Sequence, residues 1–252
     1  MRSSELFDPP REGRGDYHAH VFPGDTCHVK DPWYIPDYDA TVEDYLAALQ
    51  HHSIAWGTLV QPSFPGTEHS FMLDVMQQYP DLFRGVVVVD HDDPMSSQGE
   101  LDLWNRIGVR GVRLNLYGLN LPNLQSGSWT QFTWELKRLG WFLQFYCKPE
   151  QLAALSPAIK ELPCTVVIDH LGFPLDEDLE NHPLLDLISL ENVWVKASGA
   201  YRSPAGVSKA MYRLLKSKGF ERLVPGSDWP HTLHREDPVE AWDFFDENEN
   251  NQ

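Results

Sequence analysis

Thr165-Val166-Val167-Ile168-Asp169-His170-Leu171 opens on a run of β-branched residues and closes on two titratable ones. A strand that is apolar without alternation is buried on both faces, as in a parallel sheet covered by helices. Seven further segments have this character: 15–22, 54–61, 83–90, 109–116, 141–147, 193–199 and 223–228. Amphipathic stretches lie between and after them, at 41–52, 68–79, 98–107, 130–139, 149–161, 183–190, 204–218 and 237–247. Several carry start signals: Thr41 stands before Val42-Glu43-Asp44 as a cap, and Pro149 and Pro204 fall at first helical turns. Strand then helix, repeated eight times, predicts an α/β fold, a (β/α)8 TIM barrel, over residues 1–252 as one domain. The rival, a doubly wound open sheet, lacks its usual Gly-rich phosphate loop after the first strand. The polar ends, 1–14 and 247–252, are expected to be flexible.

Composition narrows the function classes. The chain has 252 residues, 37 acids and 20 bases, for a net charge of −17 that repels phosphate backbones and anionic membrane surfaces. Nucleic acid and membranes are therefore not expected as partners. No stretch reaches the roughly 20 apolar residues of a membrane span, and none resembles a secretory signal, so a cytoplasmic location is expected. Cys27, Cys147 and Cys164 fit neither a disulfide framework nor a Cys-rich zinc module, and the last two read as core fillers.

In a barrel of this kind chemistry sits at the C-terminal ends of the strands, and the polar residues gather there. His18 and His20 stand two apart at the first strand end, so they project from one face and can converge on one metal ion, water or substrate oxygen. Gln61 and Ser63 follow the second strand, Asp90 and His91 the third, Arg113 and Asn115 the fourth, and Tyr146 the fifth. Asp169 and His170 end the sixth; Ser198, Tyr201 and Arg202 follow the seventh; Asp228 and His231 follow the eighth. Asp228, beside Trp229, is expected to act as a general base made more basic by partial desolvation. His18, His20 and His170 are expected to polarise a carbonyl or to complete a metal site with Asp228. Arg113 and Arg202 suit an anionic substrate, because a planar guanidinium pairs with a carboxylate in a fork. Tyr146, Ser63 and His231 are the further substrate-binding candidates. Asp90-His91-Asp92-Asp93 reads as a solvated, capped loop.

Taken together, the Asp16-Tyr17-His18-Ala19-His20 run, Gln61-Pro62-Ser63, Arg110-Gly111-Val112-Arg113, Tyr146, Pro149-Glu150-Gln151-Leu152, Ile168-Asp169-His170-Leu171-Gly172-Phe173-Pro174 and Gly226-Ser227-Asp228-Trp229-Pro230-His231 form an ordered set. The set resembles the amidohydrolase family, and within it the branch of 2-pyrone-4,6-dicarboxylate lactonase and related sugar lactonases. The resemblance implies a deformed TIM barrel that hydrolyses a cyclic ester, with a carboxylated pyrone or an aldonolactone as the substrate type. It implies that Asp228 activates water and that His18, His20 and His170 grip the lactone carbonyl. No strand-4 Lys or strand-5 His is present to support a binuclear centre. A metal-free site is the first expectation; one zinc held by His18, His20, His170 and Asp228 is the alternative. The partner implied is a small lactone, anionic or polyhydroxylated, with a homo-oligomer allowed. A zinc-dependent decarboxylase of the same superfamily and a non-catalytic binding relative are the competing functions. The family continues into a long final helix, whereas 24 residues follow Asp228 here, so a shortened eighth helix is expected.

Overall fold

Eight parallel strands hydrogen-bond in sequence order, β1 (Gly15–Ala19), β2 (Trp56–Val60), β3 (Phe83–Val88), β4 (Val109–Asn115), β5 (Phe142–Tyr146), β6 (Thr165–Ile168), β7 (Val193–Ala197) and β8 (Leu223–Pro225). The computed structural model describes residues 2–26, 29, 30, 32, 34–234 and 241–246. Each strand falls within a segment that the apolar runs mark, and each is one to three residues shorter than its run. The sheet curls into a nearly closed TIM barrel.

Helices α2 (Val42–His51), α3 (Ser70–Gln78), α4 (Leu101–Ile107), α5 (Gly127–Leu139), α6 (Pro149–Ile159) and α7 (Val207–Ser217) follow strands β1 to β5 and β7, with α1 (Ser3–Phe7) ahead of β1. The Thr41 hydroxyl accepts from the Asp44 amide and starts α2 as a side-chain cap. The amphipathic helices and the outward faces of the strands share one large apolar core.

One expectation changes. Residues 183–190 do not form an α-helix: Pro183–Asp186 is a 3-10 turn, with Leu187 bonding back to Leu184 and Leu190 back to Leu187. Single turns suffice there to bury Leu184 and Leu187. Within the N-terminal segment, Leu6 and Phe7 of α1 are each 1% exposed and join Trp56, Val86, Phe142, Val167, Trp194 and Val224 inside the lower barrel. The Asp8 carboxylate then pairs with Arg110 Nη2 at 2.6 Å, which assigns this arginine to the lower end of the barrel. Of the expected eighth helix, α8 (Asp243–Asp246) lies in the described region, with Phe244 and Phe245 buried. Residues 247–252 and Cys27 lie outside it.

Asp16 joins the first strand to the last. Its Oδ1 accepts from the backbone N–H of His18 and of Ser227, both at 3.0 Å; its Oδ2 accepts from the Ser227 hydroxyl at 2.5 Å and the Tyr45 hydroxyl at 2.9 Å. This clasp ties β1 to the segment after β8. Above it the Asp228 amide donates to His18 O and the His20 amide to Trp229 O, each at 2.8 Å, which completes the ring of hydrogen bonds. Gly226 is required at the seam, because a Cβ there would lie 2.7 Å from that of His18.

Asp16→Ala strands two buried hydroxyl donors at the seam. It is expected to cost about 3–5 kcal/mol, the scale of breaking a buried polar network, measured by urea unfolding against the native chain; a loss under about 1 kcal/mol would contradict the clasp.

Candidate active site

The loops above the strand ends enclose a cavity of about 310 Å³ whose lining includes His20, Ser63, Arg113, Asn115, Tyr146, His170 and Arg202. Six of the nine sequence candidates therefore line one space: His20, His170, Arg113, Arg202, Tyr146 and, at its exposed rim, Ser63. His18 and Asp228 are fully buried, close beneath this floor. His231 is not among the lining residues; it packs edge-on against Tyr201, with ring centroids 5.6 Å apart. The Asp90 carboxylate accepts from the amides of Asp92 and Asp93, which is the capped loop expected of that acidic run.

Two buried carboxylates organise the floor. Asp169 Oδ2 accepts from Arg113 Nε at 3.0 Å and from Gln144 Nε2 at 2.9 Å. Asp228 Oδ2 accepts from Tyr201 OH at 2.6 Å and is also paired with Arg202 Nε. Each carboxylate keeps its Oδ1 without a hydrogen bond. Arg113 also lies over the Tyr146 ring, 5.2 Å from its centroid, so the tyrosine fixes the guanidinium at the cavity wall.

The imidazoles are fixed through their Nδ1 atoms. His20 Nδ1 donates to Val60 O at 2.6 Å, because a carbonyl can only accept. Its Nε2 is therefore an acceptor, and it lies 3.3 Å from His18 Nε2 and 3.5 Å from Asp228 Oδ1. His18 Nδ1 meets Lys196 Nζ at 3.4 Å, and His170 Nδ1 meets Ser198 Oγ at 2.9 Å. Backbone geometry supports these placements: His170 and Asp228 have φ of +50° and +58°, left-handed conformations that cost non-glycine residues about 1–3 kcal/mol and are held by surrounding contacts. Gly199 leaves room for both neighbours, since a Cβ at this position would lie 2.7 Å from His170 Nδ1 and 3.2 Å from Arg202 Cδ.

Burial holds all three imidazoles below their ordinary range, with His170 brought down to about 4, so they are neutral at pH 7. Burial also brings the Lys196 ammonium down to about 8, against the pull of Asp169. The expectation for Asp228 is reversed. Burial alone would raise its carboxyl, but the Arg202 guanidinium and the His170 imidazole hold it well below the usual range. Trp229, expected to desolvate it, packs instead on Tyr45, with centroids 5.1 Å apart.

His18 Nε2, His20 Nε2 and Asp228 Oδ1 form a triangle with sides of 3.3, 3.5 and 3.7 Å. Tetrahedral zinc with bonds near 2.0–2.1 Å sets its ligand atoms about 3.3–3.4 Å apart. Two imidazoles and an oxygen without a hydrogen bond thus fit a divalent ion in spacing and in chemistry. His170 stands farther off, with Nε2 3.9 Å from the other oxygen of Asp228, and belongs to a second grouping with His18 and Asp169.

The amidohydrolase family model matches residues 16–250. The chain belongs to the amidohydrolases. Among curated relatives, a 4-sulfomuconolactone hydrolase of Rhizobium radiobacter is 30% identical over 92% of this chain and 80% of its own length. A 2-pyrone-4,6-dicarboxylate hydrolase of Comamonas testosteroni is 28% identical over 87% and 77%. Among solved structures, a probable 2-pyrone-4,6-dicarboxylic acid hydrolase of Acinetobacter baumannii, with citric acid bound, superposes with a TM-score of 0.84 at 37% identity, covering 94% of each chain.

Several site residues of this amidohydrolase escaped the sequence reading. Lys196 and Gln144 sit inside apolar strands rather than at their ends, and each is fully buried. The signal was present: a lysine amid Val193-Trp194-Val195 and a glutamine between Leu143 and Phe145 have no place in an apolar run unless they face polar partners in the barrel. Asp169 and Tyr201 were placed at strand ends without a role.

Because Asp228 is depressed in the folded state, its contribution to stability is present above the unfolded value near 3.9 and is lost as pH falls through the folded one. Its carboxyl carbon, followed by NMR, is therefore expected to show no titration between about pH 5 and 7; a midpoint in that window would contradict the Arg202 pairing.

Proposed function

We propose that this amidohydrolase opens a small anionic lactone by Asp228-directed attack of water on the ring carbonyl. The observation that carries the proposal is the gathering, at one cavity floor, of an ionised carboxylate whose Oδ1 makes no hydrogen bond, two cavity-lining guanidinium groups and a neutral imidazole. An acceptor for the proton of water thus lies beside donors for the developing oxyanion. Relatives named for a sulfonated and a dicarboxylated lactone, and a related structure holding citric acid, support an acidic substrate. Arg113 and Arg202, both facing the cavity, are suited to that charge.

Water entering between His20 and His170 donates one hydrogen to Asp228 Oδ1 and adds through its oxygen to the carbonyl carbon. His170, with Nδ1 occupied by the Ser198 hydroxyl, turns Nε2–H towards the oxyanion, and the guanidinium groups share its charge. Collapse breaks the ring C–O bond, and the ring oxygen leaves with the proton taken from water, giving the open hydroxy or enol acid. Tyr146 and Ser63 line the substrate's flanks. If a divalent ion is part of the working enzyme, His18, His20 and Asp228 would hold it, and it would supply Lewis-acid polarisation and a more acidic water. The net charge, the buried thiols of Cys147 and Cys164 and the absence of a membrane-length apolar helix among the described residues accord with a cytoplasmic enzyme acting on a small molecule.

Purified protein is expected to hydrolyse at least one member of a panel of pyrone dicarboxylate, sulfonated muconolactone and aldonolactones, assayed with and without zinc. Asp228→Asn should lower kcat by about 10²–10⁴, the usual worth of a positioned base, with an unchanged circular dichroism spectrum. Undiminished turnover in that variant, or release of carbon dioxide in place of ring opening, would overturn the proposal.

A further inference from the structure

We propose that Lys196 is a positioning residue that fixes the proton of His18 on Nε2 and so sets the His18–His20–Asp228 triangle against taking up a divalent cation. The inference rests on treating these three residues as one site and does not depend on the lactone.

His18 Nδ1 has two buried neighbours of opposite demand. Lys196 Nζ lies 3.4 Å away and meets hydrogen-bond geometry; Asp169 Oδ1 lies 3.3 Å away and accepts no hydrogen bond. A lysine ammonium has donors and no acceptor, so opposite it His18 Nδ1 accepts and its one proton resides on Nε2. This proton then has a partner, because His20 Nε2, 3.3 Å away, must accept once His20 Nδ1 has donated to Val60 O. The result is a chain with one direction throughout: Lys196 Nζ to His18, His18 to His20, His20 to the β2 carbonyl. Every imidazole nitrogen in it is satisfied.

A metal ion needs the opposite arrangement. Both Nε2 atoms must present lone pairs beside Asp228 Oδ1, and the His18 proton must move to Nδ1 and donate to a carboxylate. Asp169 Oδ1 is placed for that role and is unoccupied by any other hydrogen bond. The same chain thus holds the parts for two tautomers of His18, and Lys196 selects between them. Its fully buried positive charge, with Nζ 4.0 Å from Asp169 Oδ1, also opposes a second cation close by. Ser198, two residues on from Lys196, is hydrogen-bonded through its hydroxyl to His170 Nδ1, so β7 and the residue just after it reach the Nδ1 atoms of both histidines.

Lys196→Met removes the donor and the charge while keeping side-chain length. Zinc binding by dialysed native protein and by the variant, followed by isothermal calorimetry and by metal analysis after gel filtration, is expected to tighten about 10- to 100-fold in the variant, the range over which groups behind a ligand act. The second measurement needs no variant: 15N NMR of the metal-free native protein should show the His18 ring protonated on Nε2. Equal zinc affinity in the two proteins, or a native His18 protonated on Nδ1, would overturn the assignment. Neither readout requires turnover, so a failed lactone screen leaves this test intact. If Lys196→Met fails to fold, the tautomer of native His18 decides alone.

Discussion

A barrel forms only if its last strand finds its first, and in this chain one buried carboxylate makes that junction. Asp16 takes four hydrogen bonds from β1, α2 and the segment after β8. Burial pushes its carboxyl up to about 6, so the seam holds a group that would be poorly tolerated without those donors. The consequence reaches the site directly. Ser227, gripped by Asp16, immediately precedes Asp228, and His18 is two residues beyond Asp16 on the other side. The clasp that closes the fold therefore also fixes the spacing of His18, His20 and Asp228.

Above the clasp, the barrel centre is a balanced set of charges rather than an apolar plug. Asp169 and Asp228 are each matched to an arginine, and Lys196 lies among them. Burying ions is costly unless each is paired and hydrogen-bonded. Here the pairing uses one oxygen of each carboxylate and leaves the other towards the imidazoles. The same economy that satisfies the buried charges exposes the reactive lone pairs. The histidines beside these charges stay neutral, because burial lowers them more than the carboxylates raise them.

Much of this was legible in the sequence. The eight strands were visible because a strand covered on both faces must be apolar throughout, and the site was visible because polar residues cluster where those runs stop. His18, His20, His170, Arg113, Arg202, Tyr146 and Asp228 were all placed near one mouth by that rule. Its weakness is the polar residue inside a run. Gln144 and Lys196 face the barrel axis, where the neighbours that justify them come from other strands and leave no local pattern. The basicity of Asp228 was misjudged for the same reason, since Arg202 approaches it through space. The helix α1 was missed because Ser3-Ser4-Glu5-Leu6-Phe7 has only two apolar residues, too few for a period.

That short helix ties the beginning of the chain to its end. The pocket that receives Leu6 and Phe7 is walled by residues from Trp56 to Val224, so it does not exist until the eighth strand has been made and seated. Leu6 and Phe7 precede every residue of that wall in the chain yet are among the last to be buried, and they wait as an unshielded apolar pair while the barrel is built above them. Arg2 and Ser4 stay exposed at this lower opening, whereas the reacting groups lie at the far end of the strands. The packing that buries the first helix and the groups that do the chemistry thus sit at opposite mouths of one barrel.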